Sequence, residues 1–159
     1  MPDEIPPNQE PHVLAEAGGM VDETRASLLI YGDDLDPDAV SALLGCSPSH
    51  SHRKGDNHRQ TPHQFSTGAW MLTVEGKAPR GPSALIEVLL GRFPSDPMFW
   101  RSLMERYRVS VRVGIHTGGW NRKFDLSAGT IAALGRTGVA LEFDLYFYGD
   151  EANSAISIH

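Results

Sequence analysis

The densest set of side chains able to do chemistry lies in residues 46–67, where His50, His52, His58 and His63 stand among Arg53, Lys54 and Arg59. Imidazoles bind metals and move protons. Here, however, His50 and His52 are two apart and His58 and His63 lie further on, which matches neither the i, i+4 pair of a helical zinc site nor a finger spacing. Arg53 and Lys54, followed by the Gly55-Asp56 turn, are better suited to presenting charge to an acidic partner or a small anionic ligand. His52, Arg53, Lys54 and Asp56 are therefore candidate binding residues. A metal-assisted hydrolase using the loop histidines and acidic residues is the alternative reading.

Other reactive groups have simpler roles. Asp33, Asp34, Asp36 and Asp38 lack the glycine and distal glutamate of a calcium loop, and capping and turn formation account for Asp33 and Asp36. Cys46 follows a helix C-terminus, whose negative end disfavours a thiolate. No Gly-rich phosphate loop, H-E-x-x-H helix or G-x-S-x-G elbow occurs, so no catalytic residue, metal site or cofactor is expected. Glu142 and Asp144 could shift each other's pKa on one strand face, without a partner set that would make them catalytic.

The elements that must position these groups are marked by periodicity and caps. An apolar run at 26–31 ends in the Gly32-Asp33-Asp34 turn. Asp36 then caps a helix with Pro37 at its first position, Leu35 and Val40 as a hydrophobic staple, and Gly45 to close it. Residues 68–75 alternate as a second strand with Trp70 on the inward side; Trp70 is assigned to the core, with stacking on a ligand as a secondary role. Helices follow at 83–91 and, from the cap Asp96, at 97–107, and both read as amphipathic cover. Residues 108–116 form the clearest strand, with Val109, Val111, Val113 and Ile115 on one face. A short strand through Phe124 is followed by a helix capped by Ser127, with Leu126 and Ile131 as its staple. The last strand, 139–148, has Val139, Leu141, Phe143, Leu145 and Phe147 on its inward side.

The two capped helices align, Leu35 to Leu43 with Leu126 to Leu134, and each lies between strands. This predicts an α+β ferredoxin-like sandwich of two strand-helix-strand halves, an antiparallel sheet with helices on one face and the helix pair of 83–107 inserted between the halves, with a different mixed α+β topology as the main alternative. The other face then carries Tyr31, Thr73, Glu75, Arg112, Glu142, Asp144 and Tyr146, with Arg112 pairing Glu142 or Asp144 across strands. Arginine and tyrosine on an open sheet compose an interaction surface, so Arg112, Asp144 and Tyr146 join the candidates.

YGDDLDPDAVSALLG at 31–45, SHRKGD at 51–56, GAW at 68–70 and LEFDLY at 141–146 together resemble an uncharacterised bacterial family known as domain of unknown function 4279, over residues 26–149. The resemblance implies no reaction and points toward small partner-binding proteins of the immunity type.

Composition bounds the rest. At 159 residues and 40 % hydrophobic content the chain has enough for one core. No run approaches the roughly 18 apolar residues of a membrane span, and no signal peptide is evident, so no membrane partner and a cytoplasmic location are expected. One cysteine leaves no internal disulfide. Residues 1–24 hold six acidic and no basic residues, which accounts for the whole net charge of −6. The remainder balances 14 basic against 14 acidic residues, and no basic face for duplex nucleic acid is expected. The segment 1–24 reads as a disordered acidic, proline-containing tail, 25–149 as the single domain and 150–159 as a loose C-terminal tail. The expected function is a non-enzymatic binding module for an unknown protein or small anionic ligand, with homo-oligomerisation through the open face or an edge strand as a further possibility.

Overall fold

Local chemistry places the boundaries of most elements. The computed structural model describes residues 19–149. In chain order these form β1 (Gly19–Met20), β2 (Glu23–Gly32), α1 (Pro37–Leu44), β3 (His50–His52), β4 (Gly68–Lys77), α2 (Pro82–Leu90), α3 (Pro97–Arg106), β5 (Arg108–Thr117), β6 (Arg122–Lys123), α4 (Ala128–Thr137) and β7 (Ala140–Phe147). The Asp36 carboxylate accepts from the Asp38 N–H, Asp96 from the Met98 N–H and the Ser127 hydroxyl from the Thr130 N–H, so three of the helices start at side-chain caps. Gly45 at φ 72° and Gly138 at φ 68° close α1 and α4 in the left-handed conformation.

The main sheet has the order β3-β4-β2-β5-β7. Neighbours are antiparallel except β5 and β7, which run parallel, and β1 pairs with β6 as a separate parallel ribbon. Two expectations change here. The sheet is mixed, because α4 carries the chain from the end of β5 back to the end at which β5 began, and a strand after such a crossover must run parallel. The helix pair expected as an insertion also lies between parallel strands: β2 and β3 are the parallel strands flanking β4, and β4 and β5 are the parallel strands flanking β2. The helix pair α2–α3 is therefore the second crossover, and α4–β7 is the addition.

Period-two alternation decides which face is buried. Ala26, Leu28 and Ile30 on β2, Trp70 and Leu72 on β4, and Val111, Val113 and Ile115 on β5 meet Val40, Leu85, Ile86, Leu89, Trp100 and Leu103 from the helices in one core. Leu35 and Val40 are both buried, as a staple requires. The equivalent staple on α4 does not form. Ile131 is exposed, and Thr130 turns inward instead, its hydroxyl donating to Glu87 at 2.6 Å and sharing hydrogen bonds with Ser83 and Ser127. A polar junction between α2 and α4 fixes the rotation of that helix.

The ends of the domain also differ from expectation. Val21 is buried and β2 begins at Glu23, so the ordered chain starts before residue 25. The remainder of the acidic tail, residues 1–18, and the C-terminal tail from 150 lie outside the described residues. The inward side of β7 is covered only near its start: Val139 is buried, but Phe143, Leu145 and Phe147 are exposed because α4 packs against α2 and α3 rather than over this strand. Among the described residues no helix is long and apolar enough to cross a membrane.

Candidate functional site

The histidine-containing stretch is a folded arm. Gly55, at φ 86°, turns the chain, and its N–H donates to the Phe65 carbonyl at 2.8 Å. The Phe65 N–H donates back to Asp56 at 2.9 Å and the His58 N–H to His63 at 3.0 Å. The arm is held at its base by charge. Lys54 Nζ donates to Asp33 at 2.8 Å, and Arg53 Nη2 reaches Asp36 and, at 3.1 Å, Asp38. The Lys54 ammonium holds the Asp33 carboxyl below its ordinary range. Asp56 accepts the Arg53 N–H at 2.8 Å. Arg53, Lys54 and Asp56 thus bind the chain's own acidic corner and turn, and three of the four aspartates of that corner serve as their anchors. Each pair is half exposed or more, so each contributes little alone; together they set where the arm lies.

His52 belongs to both the arm and the sheet. Its register partner on β4 is Ala69 and that of His50 is Met71, which places both histidines at the β3 edge of the open face. The His52 ring stacks on Phe65 with centroids 3.4 Å apart, His58 lies 4.7 Å from the same phenyl ring, and His50 Nε2 hydrogen-bonds His52 Nδ1 at 3.3 Å. Between arm and sheet lies a groove of about 850 Å³, walled by these histidines, Phe65, Tyr31, Met71 and Arg59. Burial, and next the neighbouring His50, push the His52 pKa below its ordinary value of 6.5. A histidine held neutral by the fold leaves the unfolded chain with more bound protons once pH falls through 6.5. Stability of the arm is therefore complete above that pH and declines below it. Amide exchange of residues 53–65 is expected to accelerate between pH 7 and 5 in the wild type but not in His52→Phe, relative to the sheet core. Equal acceleration in both would remove His52 as the cause.

The other end of the open face holds Arg112, Asp144 and Tyr146. Arg112 donates twice to Glu142, at 3.0 and 2.9 Å, and lies 3.6 Å from Asp144, the cross-strand pairing that alternation implies. Arg112, followed by Ser110, holds the Glu142 carboxyl below its usual range. Tyr146 stacks on His116 at 4.6 Å, and the His116 Nδ1 shares a 2.7 Å hydrogen bond with the Tyr148 hydroxyl. With Arg25 and Gly114 these residues line a shallow depression of about 340 Å³. Glu75 lies beside Arg25 at 3.4 Å and Thr73 bonds Ser27 at 2.8 Å on the same face. Trp70 belongs to neither region. It is fully buried and its indole N–H donates to the Ser41 hydroxyl at 3.0 Å, so it meets no ligand.

The structure brings His52 together with His50, Phe65, Met71 and Arg59, and separates that group from Arg112, Asp144 and Tyr146 by the intervening strand β2. His116, Tyr148 and Arg25 escaped sequence reasoning. Alternation along β5 does place His116 on the Arg112 face, but the stacking needs the β5–β7 pairing. Among the described residues, histidine side chains hydrogen-bond other histidine and tyrosine side chains rather than a serine or cysteine, and no group of three His, Cys, Asp or Glu could hold a metal ion. Burial pushes the Cys46 thiol up, away from the reactive thiolate.

No curated protein and no solved structure matches the chain. Residues 22–148 match the family described as Domain of unknown function (DUF4279). A core that starts at Val21, the acidic corner and β7 all fall in or beside the matched stretch, and the chain belongs to the DUF4279 family.

Proposed function

We propose that this domain is a non-enzymatic binding module that takes an acidic segment of a partner protein, or a small anionic ligand, in the groove between the arm and the open sheet face. The observation that carries this reading is the groove itself. It has the size of a ligand cleft, a few hundred to about 1,000 Å³. Its walls combine aromatic faces with imidazoles, and Asp56, its acidic lining residue, is engaged by its own turn. The acidic corner takes up Arg53 and Lys54, whereas Arg59 lines the groove. Arg108, over the Tyr31 ring at 5.9 Å, adds positive charge near one end. Tyr146 and Arg112 at the far end of the same face serve as a second contact area for a larger partner.

The reading of the fold as ferredoxin-like rests on the order β3-β4-β2-β5, which interleaves two strand-helix-strand units; β7 then extends that core by one parallel strand.

Affinity capture from a cell lysate with quantitative mass spectrometry tests the binding site. Arg59→Glu combined with His58→Ala alters exposed arm side chains and is expected to deplete the specific partner at least tenfold, with circular dichroism unchanged. Recovery of every captured protein at wild-type level by that variant would sink the groove as the site.

A further inference from the structure

We propose that the outer edge of β7 pairs with the same edge of a second copy of this chain, antiparallel about a two-fold axis at Leu145. The two edges of the main sheet are built differently. β3 has three residues and stands between Pro48 and the Gly55 turn, which leaves little backbone for another strand to pair with. β7 has eight, and its register with β5 runs unbroken from Ser110 opposite Ala140 to Thr117 opposite Phe147. It contains no lysine, arginine, proline or glycine, and no bulge interrupts it. Lysine, proline and bulges are devices by which edge strands avoid pairing, and β7 has none of these three; its charges are the carboxylates of Glu142 and Asp144.

The side chains of this edge suit a second copy. On the helix side, Leu145 is 69 % exposed, and Phe147 and Phe143 are also exposed. Trp120, 82 % exposed, leans on Phe147 at 4.9 Å, and Phe124 on Phe143 at 5.5 Å, so the strand carries a continuous apolar flank. On the open side, Arg112 draws Glu142 and Asp144 toward β5, away from the free edge, and offsets one of their two charges.

Charge then selects the register. Residues directly opposite in an antiparallel pair share a face, and like charges there are destabilising. An axis at Phe143 sets Glu142 against Asp144 of the other copy, and an axis at Asp144 sets the two Asp144 carboxylates together. Centring on Tyr146 avoids this but shortens the overlap. An axis at Leu145 places Asp144 opposite Tyr146, Glu142 opposite Tyr148 and Phe143 opposite Phe147, with the two Leu145 side chains in contact. This register covers all three exposed apolar side chains of β7 and joins the two sheets into one of ten strands.

The full chain is expected to elute in light-scattering chromatography at about twice its 17.4 kDa mass. Leu145→Lys, which sets two ammonium groups against each other, should return it to monomer with its circular dichroism retained, whereas Leu43→Lys on α1 should remain dimeric. Opposed strand residues lie about 4.5–5.5 Å apart at Cα, within disulfide range. Leu145→Cys in a Cys46→Ser background should therefore cross-link to itself on oxidation, and Phe143→Cys should not. A wild-type monomer overturns the proposal, including one in which residues 150–159 protect the β7 amides from exchange or another protein does so. So does a dimer indifferent to Leu145→Lys, or one cross-linked through position 143 in preference to 145.

Discussion

Trp70→Ala is expected to lower the unfolding free energy by about 3–5 kcal/mol, the range for truncating a fully buried large aromatic. The indole fills the space between β4, α1 and the loop after α2, with Phe93 edge-on at 6.5 Å and Phe93 in turn edge-on to Trp100 at 5.9 Å. Removal leaves a cavity at the junction of these rings and strips the Ser41 hydroxyl of its 3.0 Å donor. The denaturant midpoint checks this, with the slope of the transition unchanged if the fold is kept. Trp70→Phe separates the two contributions. It keeps much of the packing and loses the hydrogen bond, so a loss near that of the alanine variant would mean that the polar contact, not the volume, dominates.

Gly68→Ala is expected to cost at least the ~1–3 kcal/mol typical of overpacking, through one methyl group. A Cβ at Gly68 would stand 2.8 Å from the Gly32 carbonyl oxygen, 3.0 Å from Leu35 Cβ and 3.1 Å from the Leu35 carbonyl oxygen. Two of these are backbone atoms. They belong to the turn in which the Leu35 N–H donates to the Gly32 carbonyl at 3.2 Å, and Gly32 is itself the register partner of Gly68. Relief requires the start of β4 to part from the end of β2. Gly45→Ala is the informative comparison: open space surrounds its Cβ position and only its φ of 72° opposes the change, so a smaller loss is expected there. Thermal melts of the two variants side by side decide it, and equal losses would show that conformation rather than crowding sets the cost at Gly68.

Both substitutions act at the corner joining β2, α1 and β4, which is also the part of the chain most legible as sequence. Asp36, Pro37, Leu35, Val40 and Gly45 act on groups within a few residues, and interactions of that range can be read from spacing. The same holds for the caps Asp96 and Ser127 and for the alternation of Val109, Val111, Val113 and Ile115. Where a side chain's role depends on a distant neighbour, legibility fails. Ile131 sits at a staple position and is nonetheless exposed, because Glu87 and Ser83 on another helix bind Thr130 and set the rotation of α4. Phe143, Leu145 and Phe147 alternate as core residues do, but burial also needs a covering layer, and α4 packs against α2 and α3 instead of over them.

The candidate site divides in the same way. The pairing of Arg112 with Glu142 follows from alternation once the two strands are neighbours. The partners of Arg53 and Lys54 do not, since the carboxylates they meet lie 15 to 21 residues earlier in the chain. A run of polar residues between Cys46 and Thr67 carries no periodic signal, and the arm exists because backbone groups of Gly55 and Phe65 find each other. By itself the sequence determined the caps, the turns, the strand faces and the charge balance of residues 25–159, all of them properties of near neighbours or of composition. Only the tertiary structure decided that β7 runs parallel to β5, that the arm's charges close on the acidic corner, and that His50 and His52 share a face with Met71. Each of these is a contact between segments whose separation along the chain leaves no local trace.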